Sequence, residues 1–408
     1  MRTTLWILAG LAACGTTSDA DTSSATQDSL RNCDHVGISV PTGRGEIEGV
    51  WDAQRKRLVM FGGNEAVPIN CSPGATAFLG ETWVYESQCD GFAQISTESA
   101  PHARGRHAAA LDEAGGQMLI HGGRFRNGDS GDYTLYGDTW AFDFELETWT
   151  KLAGPGGGPS KRGNHGAVVA QDALVVFGGN DSDNGAVFSP LNDTWTLDLG
   201  TLQWNRLETT NKPPARLYPA VATDGSTLYV YGGGDENALF GTGFFGDLWA
   251  LDLTTGQWTE LNDGTGNAPV DRFWAGLEHD PNGNRLILFA GHDSGDLGNT
   301  NQVWSFNLET QKWKTLHEGD TYSSPANGQC DFPADFTDID DTSPERRNAG
   351  VVTRGDDQLV IFGGKTDCGN ANDVWALDLT TDTWTEWSRA TAGEVCLRAN
   401  QTCSTLCF

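Results

Sequence analysis

Basic residues are scarce in this chain. It has 26 Lys and Arg against 55 Asp and Glu, a formal net charge of −29, and the acids are spread along the sequence, not gathered in a block. Nucleic-acid binders draw much of their affinity from cations that neutralise phosphates, so that class is excluded. Docking on anionic lipid through a basic patch is excluded for the same reason. The plain role of the excess acid is solubility. No stretch sustains a 3.6-residue apolar period, which argues against long helices. The apolar run Leu5–Leu11 is too short to span a bilayer. Tyrosine is sparse, at seven residues, and no two cysteines have the Cys-x₂-Cys spacing of a common zinc site. No His-Glu-x-x-His, phosphate loop or Ser/His/Asp order is present.

What the chain does have is a recurring phrase: an apolar run ending in Gly-Gly, an acid two residues ahead of a Trp, then a second Trp. It reads at Leu58–Gly63 with Glu81 and Trp83, Leu119–Gly123 with Asp138, Trp140 and Trp149, and Leu174–Gly179 with Asp193, Trp195 and Trp204. It continues at Leu228–Gly233 with Asp247, Trp249 and Trp258, Leu286–Gly291 with Gln302, Trp304 and Trp313, and Leu359–Gly364 with Asp373, Trp375 and Trp384. A period of roughly 50 residues with such phrasing marks a propeller blade. In the third repeat the alternation and turn residues predict strand a at Arg162–Ala170, b at Ala173–Phe177, c at Thr194–Leu199 and d at Gln203–Leu207. Three positions depart from the phrase: Phe92 replaces the second Trp of the first repeat, and the fifth has Ala290-Gly291 for Gly-Gly and Gln302 for the acid.

The pattern closely resembles the kelch repeat over about residues 41–388. The resemblance implies an all-β, six-bladed kelch-type β-propeller with four antiparallel strands per blade around a central channel. The blades are expected at about 41–98, 101–155, 159–210, 213–265, 269–320 and 344–390, within a propeller spanning 33–395. An acidic insertion lies at 317–343 and a Cys-containing tail at 396–408.

At the N-terminus Arg2 precedes the short apolar run, and Leu11-Ala12-Ala13-Cys14 resembles the bacterial lipobox. That resemblance implies a lipoprotein signal peptide at 1–13, lipidation of Cys14, and an exported envelope protein. With Gly15 where an Asp would follow otherwise, the outer membrane of a Gram-negative bacterium is the expected address, and the anchor the sole membrane contact. Residues 14–32, rich in Ser, Thr and Asp, read as a disordered tether. The other eight cysteines are an even number in an exported chain, which suggests disulfides. By repeat position Cys71 groups with Cys89 in the first blade and Cys330 with Cys368 around the sixth, and Cys33 groups with Cys396, Cys403 and Cys407. A Cys33–tail link would fasten the ring where its ends meet.

Strand direction puts the b–c loops and d–a connections on one face and the short a–b and c–d turns on the other. Long loops on a rigid scaffold concentrate function, so the site is expected on the b–c face. Each strand a opens with an Arg: Arg44, Arg104, Arg162, Arg216, Arg272, and Arg346 or Arg347. Their simpler use is pairing with the acids that open strand c; their other use is bidentate binding of ligand carboxylates or phosphates. Arg272 faces Gln302 instead of an acid and is flanked by Phe273 and Trp274, so these three are the leading ligand-contact candidates. His107 and His165 sit at equivalent positions near the channel mouth and read as hydrogen-bonded structure or as half of a metal site. Tyr218 heads the loop aromatics, with Phe125, Tyr133, Tyr136, Phe188, Phe240, Phe244 and Phe245. Asp181 and Asp183 have the alternating acids of a calcium loop without its closing Glu, so calcium is the one cofactor left open.

Copper radical oxidases resembling galactose oxidase share this architecture, as do iron-dependent kelch proteins of glucosinolate breakdown and sialate mutarotases. The residue set of none of them can be assembled here, and no catalytic residue is assigned. The expectation is a module binding a glycan or a cell-surface or envelope protein through its loop-rich face. The alternatives are an extracytoplasmic mutarotase- or oxidase-like enzyme with its site at the channel mouth, and a structural component of an envelope assembly.

Overall fold

In the computed structural model of the chain, the residues described are 33, 36–37, 39–66, 77–128, 131–184, 187–238, 242–294, 298–320, 342–348, 350–366 and 369–391. The chain divides into Met1–Asp34, of which only Cys33 is described, and His35–Phe408. The larger unit is a six-bladed β-propeller whose strands a to d pair antiparallel in chain order. Blade one is Gly45–Asp52, Arg57–Asn64, Thr82–Glu86 and Gly91–Ile95; blade two is Ala108–Asp112, Gln117–His121, Thr139–Asp143 and Thr148–Ala153. Blade three is Gly166–Ala170, Ala173–Asn180, Pro190–Asp198 and Trp204–Leu207; blade four is Ala220–Thr223, Thr227–Tyr231, Leu248–Asp252 and Gln257–Asn262. Blade five is Gly276–Asp280, Arg285–Phe289, Val303–Asn307 and Lys312–His317; blade six is Val351–Gly355, Gln358–Thr366, Asn370–Asp378 and Thr383–Ser388.

The third blade shows where local chemistry moves the strand boundaries. Strand a starts at Gly166, not Arg162, because Asn164 takes a left-handed φ of 61° and interrupts the extended chain. Strands b and c run further than expected: a bulge at Gly178 lets Gly179 pair with Leu191 and Asn180 with Pro190. The a–b turn Gln171-Asp172 has φ of 50° and 59° in succession, the backbone a two-residue type I′ hairpin requires.

The strand-a arginines are interior residues, each exposed by 2% or less. Each Nε donates to the carbonyl two residues upstream, at 2.8–3.2 Å. Each Nη1 donates to the carbonyl of the first residue of the Gly-Gly pair, at 2.8–3.3 Å. In five blades the guanidinium also meets the acid opening strand c, Glu81, Asp138, Asp193, Asp247 or Asp373, at 2.6–2.9 Å. Arg347, not Arg346, holds this position in blade six. Each acid accepts a second bond from the indole Nε1 of the Trp two residues on. The expectation that Arg272 lacks such a partner is corrected here: Arg272 Nη2 donates to Gln302 Oε1 at 2.8 Å, and Trp304 Nε1 donates to the same oxygen. A neutral amide oxygen accepts as an acid does, so the module survives the substitution.

Neighbouring blades are joined by two further periodic contacts. The amide of the second Gly donates to the carbonyl of the next blade's Arg, from Gly63→Arg104 around to Gly364→Arg44, at 2.8–3.0 Å. A Cβ on Gly62, Gly122 or Gly232 would lie 2.5 Å from that same carbonyl oxygen, which is why the pair must be glycine there. Outside this, an aromatic of strand b meets the strand-d aromatic of the following blade at a steep angle: Phe61–Trp149, His121–Trp204, Phe177–Trp258, Tyr231–Trp313 and Phe289–Trp384, with centroids 5.1–5.5 Å apart. The sixth pair is Phe362–Phe92 at 5.8 Å, so the departure at Phe92 occupies the same place. Blade six meets blade one through these contacts and the cluster of Ile47, Trp51 and Met60 with Val351, Val360 and Phe362. Among the described residues no strand of one of these blades pairs with a strand of the other.

A charged acid and a neutral amide in equivalent sites give a direct comparison. Asp247→Ala strands the buried Arg216 and should cost about 3–5 kcal/mol, whereas Gln302→Ala removes one neutral acceptor and should cost about 1–3 kcal/mol. Urea unfolding of the two variants measures the difference; equal losses would mean that the charge pairing contributes nothing beyond a hydrogen bond.

Candidate functional site

In five blades the chain turns into the channel two residues after the strand-a Arg. Glu46, Arg106, Asn164, Tyr218 and Trp274 all have φ between 51° and 61°, a left-handed conformation rare for such side chains. The cost is offset by a collar of backbone bonds from blade to blade. Arg106 N donates to Glu46 O at 3.1 Å, Asn164 N to Arg106 O at 3.0 Å, Tyr218 N to Asn164 O at 2.8 Å and Trp274 N to Tyr218 O at 3.5 Å. Backbone strain repeated at one level of a scaffold is a pointer to a site.

The collar side chains meet across the axis. Arg106, on blade two, donates to the Tyr218 hydroxyl of blade four and places its guanidinium 4.7 Å from the Trp274 ring of blade five. Tyr218 and Trp274 pack with ring centroids 4.1 Å apart. Glu46 is the collar's one acid, and Oε1 of that side chain meets three cations: Lys365 Nζ at 2.9 Å, Arg106 Nη2 at 3.0 Å and Arg124 Nη2 at 3.7 Å. All four groups are buried. Burial alone would raise the Glu46 carboxyl, but Arg106, Lys365 and Arg124 outweigh it and hold the group well below the usual carboxylate range. Burial lowers Lys365 and Arg124 against the pull of Glu46, and Arg106 lowers Arg124 further. Glu46 Oε2, Arg106 Nε, Arg124 Nε and Asn164 Oδ1 have no hydrogen-bond partner among the described residues.

Beside the collar, the b–c loop of blade two forms a small hairpin, Arg124–Phe125 with Thr134–Leu135. Its aromatics fold onto two rings that precede it in the chain: Phe125 and Tyr133 meet Phe78, and Phe125 and Tyr136 meet His102. Arg124 and Arg126 lie over the Tyr133 ring at 3.9 and 4.4 Å. Phe125, Arg126, Tyr133 and Tyr136 keep part of their surface exposed. Tyr218, Phe244 and Phe273 form a second cluster, with Phe188 and Trp274 against it.

The other expected residues are placed as follows. Arg104, Arg162, Arg216 and Arg272 are committed to the interior module described above, and Phe273 is buried under Tyr218. His107 and His165 are buried in the channel wall; His165 lies against the backbone of His121, and neither ring nitrogen of His107 has a partner among the described residues. Asp181 and Asp183 are exposed. Among the described residues no group of three or more His, Cys, Asp or Glu side chains could hold a metal ion. Cys33 and Cys89 are each disulfide-bonded. Cys14, Cys71, Cys330, Cys368, Cys396, Cys403, Cys407 and Phe240 lie outside the described residues. The sequence reading found Tyr218 and Trp274 but missed Glu46, Arg106, Asn164, Arg124 and Lys365. Their offset is regular, two residues after the Arg and one before the histidines that drew notice, but no residue type recurs there to mark it.

A family model, the KLHDC2/KLHL20/DRC7 Kelch-repeats domain, matches residues 55–279 and 263–407. Among curated proteins the chain is similar to human Kelch domain-containing protein 10, 27% identical over 293 residues, covering 70% of this chain and 60% of that protein. It is similar to bovine Kelch domain-containing protein 2, 27% identical over 254 residues, covering 57% and 59%. A Drosophila leucine-zipper-like transcriptional regulator 1 homolog is 25% identical over 263 residues, covering 63% of this chain and 24% of that protein. The chain thus spans about three fifths of the length of the kelch-domain relatives it matches.

Two sets of buried groups give the protein a stability optimum in pH. Burial keeps His107, His121, His165 and His292 neutral, lowering His107 and His121 to about 3 and His292 to about 4. Unfolding frees them to bind protons below about 6.5, so acidification from that point destabilises the fold. Glu48 and Glu278, pushed up to about 8 by burial, bind protons more tightly when folded, and stability from them is lost as pH rises from about 4.5 toward 8. Below 6.5 the four histidines outnumber the two carboxyls; above it only the carboxyl contribution remains. The melting temperature should therefore peak between about pH 6 and 7, and a melt that keeps rising to pH 8.5 would show that Glu48 and Glu278 are ionised in the fold.

Proposed function

The chain belongs to the family of kelch-repeat propellers, and from that premise we propose that it is an exported, lipid-anchored binding module. Its ligand is a carboxylate-bearing segment of a protein partner, taken at the loop-rich face. One observation carries this reading: Arg106, Arg124 and Lys365 share the single carboxylate of Glu46 in a chain whose formal charge is −29. Burying cations in excess of anions costs several kcal/mol per ion. A ligand carboxylate supplies the missing negative charge and accepts from Arg106 Nε and Arg124 Nε, which have no partner among the described residues. The partly exposed Phe125, Arg126, Tyr133 and Tyr136 offer the aromatic and Arg surface on which interfaces concentrate their energy. An acidic sugar presents the same carboxylate, so a glycan partner rests on the same chemistry.

Export is supported by the lipobox resemblance at Leu11–Cys14 and by the disulfide-bonded state of Cys33 and Cys89, which suits an oxidising compartment. Cys14→Ser should release the protein from the membrane fraction and abolish labelling by fatty acid; a variant that stays membrane-bound would remove the anchor from this reading.

Binding is tested by presenting the protein to a random peptide library and to a glycan array. The captured ligands should carry carboxylates, and Arg124→Met should weaken them by about tenfold or more, equivalent to about 1.4 kcal/mol. The same variant removes a cation from an overcharged cluster, so its melting temperature should hold. Neutral ligands bound equally well by both proteins would overturn the proposal.

A further inference from the structure

The axial channel is a second candidate site, separate from the loop face. It is a cavity of about 840 Å³ that runs from the collar to the a–b turns on the opposite face. At the collar end Arg106, Tyr218 and Trp274 pack against one another across the axis, so ligand entry falls to the turn face. The strand-a walls between are apolar, lined by Ala109, Val169, Val221 and Val352. Two carboxyls break that wall: Glu48 from blade one, which has no hydrogen bond or ion pair among the described residues, and Glu278 from blade five, whose charged neighbour is Arg354. Further acids line the turn end, among them Asp112, Asp172 and Asp224. At the inner end Asn164 Oδ1 and both ring nitrogens of His107 are without partners among the described residues, and both side chains are more than nine-tenths buried. Neutral imidazole and an amide oxygen are hydrogen-bond acceptors.

Acids outnumber the basic residues Arg106 and Arg354 along this wall, and a low-dielectric cleft with such an excess concentrates positive ions. A slim apolar wall suits a methylene stem, as the buried stems of long cationic side chains show. We infer that the channel binds a primary alkylammonium group with an aliphatic stem, entering from the turn face and pairing with Glu48 and Glu278. Both carboxyls sit near 8 in the empty channel through burial, so each can give up a proton to the medium when an ammonium arrives to replace it. The same chemistry is offered by a free diamine and by a lysine side chain of a partner.

Isothermal titration of the full chain with hexane-1,6-diamine tests this, with hexane-1,6-diol as the neutral probe of equal length. One diamine should bind per chain and the diol should not. Glu48→Gln and Glu278→Gln should each weaken the diamine by tenfold or more, whereas Arg124→Met, which disables the proposed loop-face site, should leave it unchanged. Each Gln keeps the shape of the neutral acid, and a melting curve confirms folding. Tighter binding of Nα-acetyl-lysine amide than of the diamine would support the ammonium site and assign it to a partner's lysine. Equal binding of the diol, unchanged affinity in both Gln variants, or no diamine binding by the unaltered chain would each overturn the inference.

Discussion

The arginine that opens each strand a is the constraint on which the ring depends. Its side chain ties together three elements of one blade: the incoming chain, the Gly-Gly bend and the start of strand c. Its carbonyl accepts the amide of the preceding blade's second Gly. A buried guanidinium has five donors and no acceptor, so the oxygens that surround the strand-a Arg are held in place by the bonds it donates. One residue type then specifies both the internal geometry of a blade and its distance from its neighbour. Six copies leave little freedom for the angle between blades.

Among the described residues, ring closure follows from repetition. Where blade six meets blade one, the Gly364→Arg44 amide bond and the Phe362–Phe92 pair repeat what the other five junctions do. Lys365 adds a specific cross-link there by pairing with Glu46, which places a blade-six charge in the collar. The closing junction and the candidate site are therefore built from partly the same residues. Loss of Lys365 would be felt in both, while Arg124, which reaches the collar from a loop, touches only the second.

The six blades, their strand order and the face carrying the long loops were legible because each rests on a repeated residue type. Arg, Gly-Gly, acid and Trp recur at fixed offsets, and repetition distinguishes a structural role from chance. The same repetition settles the arginines: a residue present in every blade is answering a demand of the blade. Arg272 invited the opposite reading because Gln302 breaks the pattern, yet an amide oxygen accepts the same two hydrogen bonds as a carboxylate. The collar was illegible for the converse reason. Glu46, Arg106, Asn164, Tyr218 and Trp274 share a backbone conformation and nothing else, and a left-handed φ at five unlike side chains leaves no mark in a residue pattern. Arg124 and Lys365 come from other parts of the chain, so only the fold shows that they converge on Glu46.

That absence of a shared residue type says something about how such a protein can change. The collar is held by main-chain bonds, so its geometry is indifferent to what each position carries. Five side chains on five blades are presented at one level, like keys on a common ring, and each can be exchanged while the amide-to-carbonyl chain beneath it persists. Glycine at any of them would even ease the backbone. Selectivity and architecture are thus written in separate parts of the chain, and a new specificity is a matter of rewriting a handful of letters at a known spacing from an invariant arginine.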